Sequence, residues 1–469
     1  MAQLPVITMP AGASAAPAAP AASDPERRRV ARLLHRAGFG DNVEVIDQWA
    51  AKGYVATVDH LLSFPRASGR PDEAVRVAQE GSQPVNELEG YDLTPLARMW
   101  LNRMASTRYP LEEKLTLYWH NHFATSFSKV KRPRPMVAQN RLLRDHAGGN
   151  FRALAKAVTA DAAMLYWLDG NTNQLAAPNE NYGREFMELF TLGKDRYTQE
   201  DVRQAARAFT GYTVDNQGTV TFRPELHDAG EKVILGHRGN FGPLDVADIV
   251  LDRHPDGAVA ARYIAARLAV SLYRPDPEPE VVAAMADAFA GSGFEIKPMV
   301  RALLLRPEFS DGPGVTIKAP AELVAGAMRA LDLAATPMTQ GRFRELDELA
   351  AFCASMGQEL YNPPNVAGWK GGATWANTAT TLSRYNFSAR IARVVTDDVV
   401  GTVLAMAGGE PRETTGPWMA RLGLLELVPA THAALARYLD ESAAAGADPP
   451  TRARGVLTLL LASPDYNLR

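Results

Sequence analysis

From Glu26 onward the chain repeats apolar residues at three- and four-residue spacing, a periodicity that only helices with one buried face satisfy. The pattern recurs in Val43–Leu62, Leu96–Met104, Leu111–Trp119, Phe151–Val158, Val202–Phe209, Ala258–Leu272, Val281–Phe289, Ala321–Leu331 and Ala433–Leu439. Start signals agree with it. Thr94-Pro95 offers a cap and a first-turn proline, Pro110 suits the first turn of the next helix, and Thr198 precedes an acidic first turn. One stretch reads as sheet: Tyr212–Val214 and Val220–Phe222 flank the turn residues Asp215–Gly218, and Val233–Leu235 adds a third short strand. The expected fold is mainly α, a large single helical domain over 26–469 with a small β insert near residues 212–237. Residues 398–469 read as a C-terminal helical subdomain.

Composition narrows the function classes. Hydrophobic residues at 46% and charged residues at 22% describe a globular chain. Fifty Lys and Arg against 53 Asp and Glu leave a charge of −3, without the basic excess that a nucleic-acid partner demands. No apolar run approaches the roughly 20 residues of a membrane span. Cys353 is the single cysteine, so a disulfide framework and a cysteine-rich zinc site are excluded. Fourteen of the first 25 residues are Ala or Pro, which reads as a disordered arm over 1–25. An export signal has basic residues first and an apolar core next. Here Arg27-Arg28-Arg29 is followed by the polar Val30–Gly40, so the expected compartment is the cytoplasm.

Four stretches carry chemistry-bearing residues. Trp119–Phe123 (WHNHF) places His120 and His122 two positions apart; they share a point only if the helix ends there, and would then form a metal-ligating pair. A capping role for one and ring packing for the other is the alternative. Asn179–Gly193 puts Glu185 and Glu188 on one helical face, the carboxylate spacing of metal sites in bundles and of acid/base pairs. The alternative there is an Arg184–Glu188 ion pair, with Glu185 bonded to Asn181. His227-Asp228 in a glycine-containing loop supplies a ligand or a base. Tyr361–Gly372 combines two prolines, three glycines and Trp369, with Trp375 beyond: an ordered loop that walls a pocket or plugs a core with tryptophan. A basic run, Lys129–Arg134, reads as a solvated face. VRALLLRPEF (300–309) and VLTLLLASPDY (456–466) echo each other as helices stopped near proline. Dinucleotide, P-loop, serine-elbow and HExxH motifs are absent.

Taken in order, RLLHRAGFG (32–40), WHNHF (119–123), LDG (168–170), NENYGREFMELFTLG (179–193), YTQEDV (197–202) with ARAFTGY (206–212), HDAGEK (227–232) and NPPNVAGWKGG (362–372) resemble the bacterial domain-of-unknown-function family 1800 over nearly the whole chain. The resemblance implies a fold like that of the relatives, which often carry export leaders and are often encoded beside a phosphatase-like family. It supplies no reaction.

Set against those relatives' export leaders, the want of a clear leader here points to an intracellular branch such as small-molecule biosynthesis, and the residues themselves suggest a metal-dependent enzyme. His120, His122, Glu185, Glu188 and His227 would be ligands, and Glu185, Glu188, His227 and Asp228 the acid/base groups. Thiolate-free His/carboxylate ligation points to iron, manganese or zinc before copper, and the ExxE pair on a helical scaffold favours iron and oxidative chemistry, with hydrolysis by a metal-activated water as the alternative. Tyr182, Arg184, Asn365, Trp369 and Trp375 would bind a small apolar or aromatic substrate. A metal-free acid/base enzyme and a non-catalytic helical scaffold are the rival classes.

Overall fold

A computed structural model describes residues 24–65, 93–252, 258–312, 314–334 and 340–469. Residues 1–23 of the expected arm lie outside them; Asp24 caps, and Pro25 opens, the helix Pro25–Ala37. The chain is mainly α, and among the described residues its strands form two small antiparallel hairpins. The first pairs Tyr212–Val214 with Val220–Phe222 as the turn chemistry required. The second pairs Lys232–Ile234 with His237–Gly239, around Leu235 and Gly236 at positive φ. Its last strand escapes a pattern reading because three residues, one a glycine, carry no alternation. No helix among the described residues is long and apolar enough to cross a membrane.

Helix boundaries follow backbone chemistry where periodicity ran on. Val43–Leu62 is two helices, Val43–Ala50 and Tyr54–Leu61, because Gly53 sits at φ +93, a left-handed conformation that ends a helix. Thr94 is the first helical residue of Thr94–Ser106 instead of its cap. Thr198 caps Gln199–Ala208 in a reciprocal box with Asp201. The two echoing stretches share one device. Ile296–Leu304 and Pro449–Ala462 each stop before a short proline-led helix, Pro307–Asp311 and Pro464–Asn467. Those short helices bury Phe309 and Tyr466.

Two hydrophobic cores organise the chain. One gathers Val30–Phe64, the helices between Leu143 and Phe209, and those between Val246 and Phe309. The other gathers Thr94–Ser106 and the helices beyond Pro320. The helix Pro110–His122 belongs to both: Leu111, Leu115, Tyr118 and Trp119 enter the first core, Leu117 the second. Its side chains from Leu111 to His120 are all buried. A helix wrapped on every side must find partners for its polar groups inside the protein.

Candidate functional site

The first turns of Pro110–His122 satisfy that demand. Glu113 accepts from Arg144 Nε at 2.5 Å, Arg103 Nε at 2.6 Å and Trp100 Nε1 at 3.0 Å. Burial alone would raise its carboxyl, but the two guanidiniums outweigh it and hold the pKa at about 2. Lys114 pairs with Glu322 at 2.7 Å and donates to Gly38 O at 2.9 Å.

The last turn differs. Tyr118 Oη, His122 Nδ1 and both ring nitrogens of His120 are buried without a hydrogen-bond partner among the described residues. The helix runs through His122 and ends at Phe123, so the two histidines diverge by about 200°. His120 packs among Trp100, Tyr361 and Trp369 on the side of the second core. His122 packs among Tyr118, Trp119, Phe123 and Phe190 on the side of the first. The expected pairing of their imidazoles at one point is therefore not what the helix presents.

His122 Nε2 stands 2.9 Å from Phe190 O. A carbonyl only accepts, so this nitrogen carries the proton and Nδ1 keeps a lone pair. That carbonyl is available because Phe190 lies in the last turn of the π-helix Phe186–Thr191, whose final main-chain oxygens have no partner further along the helix. Tyr263 takes the neighbouring one, Leu189 O, at 2.9 Å. Burial, aided by Arg267, lowers the His122 pKa to about 3, and the ring is neutral at physiological pH.

Tyr118 and His122 stand one turn apart and both line a cleft of about 660 Å³ between the two cores. Tyr263, Arg267 and Val270 line it together with Trp369, Lys370 and Trp375. Lys114, Glu322 and Arg469 also line it, and there one carboxylate serves two cations, Arg469 Nε at 2.9 Å and Lys114. A second cavity of about 680 Å³ shares Tyr263, Ala266 and Val282 with the cleft and adds Lys194, Arg196 and Arg262.

The tryptophan wall is locked to the WHNHF helix. Asn121 Oδ1 accepts from Trp369 N at 2.6 Å, and its amide donates to Trp369 O at 3.3 Å. Gly368 lies so close that a Cβ there would stand 2.2 Å from Asn121 Oδ1, and its φ is +77. Asn362 Oδ1 accepts from Ser126 Oγ at 2.6 Å and Ser128 N at 3.1 Å. The loop lines the cleft through Trp369, Lys370 and Trp375, and Trp369 is also buried against His120.

The other expected site residues lie elsewhere or are already engaged. Glu185 is half-buried and its carboxyl is raised, by burial first and then by the charge of Glu188. Glu188 accepts from Tyr197 Oη at 2.7 Å and faces Lys194 at 3.7 Å. Arg184 pairs with Glu180 at 3.0 Å, not with Glu188, and Asn181 donates to Asp169 at 3.3 Å, not to Glu185. Tyr182 is core, its hydroxyl 2.9 Å from Thr159 Oγ1 and its ring against Phe209. His227 Nδ1 lies 3.0 Å from Thr210 O, and Asp228 pairs with Arg207 through both oxygens, at 2.6 and 3.1 Å. Lys232 donates to Asp228 O and Gly230 O, so HDAGEK ties the second hairpin to Gln199–Ala208. Asn365 accepts from Ala367 N at 2.9 Å within its own turn. Lys129 is exposed and pairs with Asp169 at 2.8 Å. Among the described residues, no three His, Cys, Asp or Glu side chains stand close enough together to hold a metal ion.

Of the expected set, His122, Trp369 and Trp375 share the cleft. Tyr118 was findable from sequence, one helical turn before His122. Arg267 and Tyr263 were not, because nothing in an apolar helix marks which face meets another segment.

Two findings place the chain among known proteins. The family described as "Protein of unknown function (DUF1800)" matches residues 32–468. No curated protein and no solved structure matches.

Proposed function

We propose that this chain, which belongs to the DUF1800 family of proteins of unknown function, binds a small anionic molecule with an aromatic or apolar part in the cleft between its two cores, and acts on it by acid/base chemistry. The observation that carries the reading is the pair of buried, unpartnered polar atoms, Tyr118 Oη and His122 Nδ1, on one helical face beneath a tryptophan wall. A buried polar atom without a partner costs about 1–3 kcal/mol, and a site that a ligand completes is a physical reason to retain two. The neutral His122 offers a lone pair to a proton on the ligand, held in its tautomer by Phe190 O. Tyr118, whose hydroxyl burial keeps protonated, donates. Arg267 and Lys370 supply charge for a carboxylate or phosphate, and Trp369 and Trp375 supply apolar surface.

Tryptophan fluorescence and thermal shift with benzoate, phenylacetate, hexanoate and phenyl phosphate test the binding. The expected result is saturable quenching by at least one of them, weakened about tenfold or more, roughly 1.4 kcal/mol, by Arg267→Ala or Lys370→Ala. Failure of all four to bind, or variants that bind like the parent chain, overturns it. Elemental analysis of untagged protein addresses the metal-dependent alternative. Stoichiometric iron, manganese or zinc that disappears in His120→Ala or Glu185→Ala would favour that alternative over metal-free acid/base chemistry in the cleft.

A further inference from the structure

A third cavity, of about 400 Å³, shares Arg469 with the cleft. Ala31, Leu424, Leu425, Val428 and Leu468 give it apolar walls. Its charged rim is occupied with itself: Arg28 pairs with Glu426 at 3.1 Å, Arg32 donates to Asp311 O at 2.9 Å, and Asp465 accepts from Val428 N at 2.8 Å. Lys318 also lines this cavity, only 3% exposed. Its Nζ stands 3.9 Å over the Tyr466 ring, and no carboxylate among the described residues pairs with it. Lys114, equally buried, shows the contrast, since Glu322 holds it at 2.7 Å.

We propose that Lys318 is a nucleophilic amine that captures a small apolar aldehyde or ketone as an imine in this cavity. The nitrogen lone pair attacks the carbonyl carbon and an N–C bond forms. Both protons of the neutral amine pass to the carbonyl oxygen, which leaves as water when the C=N bond closes. No oxidant or cofactor enters the balance. The surroundings favour the neutral amine: burial first, then the charge of Lys114, with Arg469 and Arg384 adding to it and Glu322 opposing, bring the Lys318 pKa down to about 7. His35, in the same wall, is kept neutral by burial and donates from Nε2 to Gly423 O at 3.3 Å. A desolvated lysine beside other cations is the setting in which an amine becomes nucleophilic near neutral pH.

The full chain, incubated with hexanal and sodium cyanoborohydride and then mapped by peptide mass spectrometry, tests this. Lys318 is expected to take the hexyl group at least about tenfold faster at pH 7 than the exposed Lys52, Lys194 and Lys370. Its labelling rate should rise to half-maximum near pH 7. Lys318→Arg should remove that label and leave the others. Should the arginine variant not fold, the pH profile of the Lys318 peptide in the parent chain decides alone. Modification of exposed lysines with Lys318 untouched, or a Lys318 rate that climbs only toward pH 10, overturns the proposal. The readout is a mass on one peptide, so it stands or falls apart from ligand binding in the cleft.

Discussion

The WHNHF turn and the ENYGREFMELF segment make equal claims as sequence, and the fold treats them oppositely. In the second, Arg184 has Glu180, Glu188 has Tyr197 and Tyr182 has Thr159. Around the first, Tyr118 Oη, His122 Nδ1 and both ring nitrogens of His120 are buried with no hydrogen-bond partner among the described residues. Polar groups that answer one another stabilise a fold; polar groups left unanswered in the interior are a cost that folding alone does not explain. The segments nevertheless depend on each other, since the π-turn of the second provides the carbonyl that orients His122 in the first.

The largest expected effect concerns the base of the same helix. Glu113→Gln leaves Arg144 buried without its charge partner and should cost about 3–5 kcal/mol, read as a fall in denaturation midpoint. Because the folded pKa of Glu113 is about 2 against an ordinary 4.5, its contribution is fully present above about pH 4.5 and is lost as pH falls through about 2; an acid titration of the parent chain should show that loss and the variant should not. Gly368→Ala comes next. The left-handed backbone costs about 1–3 kcal/mol and the overlap with Asn121 adds to it, so calorimetry should show a lower melting temperature together with altered fluorescence of the tryptophan wall. The contrast itself is sharpened by two hydroxyl deletions. Tyr197→Phe should cost about 1.5 kcal/mol, because a carboxylate loses its donor, whereas Tyr118→Phe should be neutral or slightly stabilising by chemical denaturation. Equal losses in the two would break the comparison. Smallest of all, Glu185→Gln should stay within about 0.5 kcal/mol, since the half-buried carboxyl has a like charge beside it and, among the described residues, no hydrogen bond to forfeit.

Much of the helical architecture was legible. Pro110 opens its helix and Thr198 caps its own, because those signals act within four residues. The first hairpin was legible from its turn residues for the same reason. The break at Gly53 was missed, as apolar spacing continues across a glycine whose φ is not visible in the pattern. For the cleft, His122, Trp369 and Trp375 stood out as residue types, while Arg267, Tyr263 and Lys370 did not. Their significance depends on which faces meet across 248 positions of chain, the span of the Asn121–Trp369 bond.

By itself the sequence determined the helical class, the starts of several helices, the first hairpin and the inventory of unusual residues, because periodicity, capping and turn formation are local. Only the tertiary structure decided which of those residues are answered and which stand open to a ligand. Hydrogen-bond satisfaction inside a protein is settled by segments remote in the chain, and the same histidine or glutamate is a strut or a reactive group according to what packs beside it.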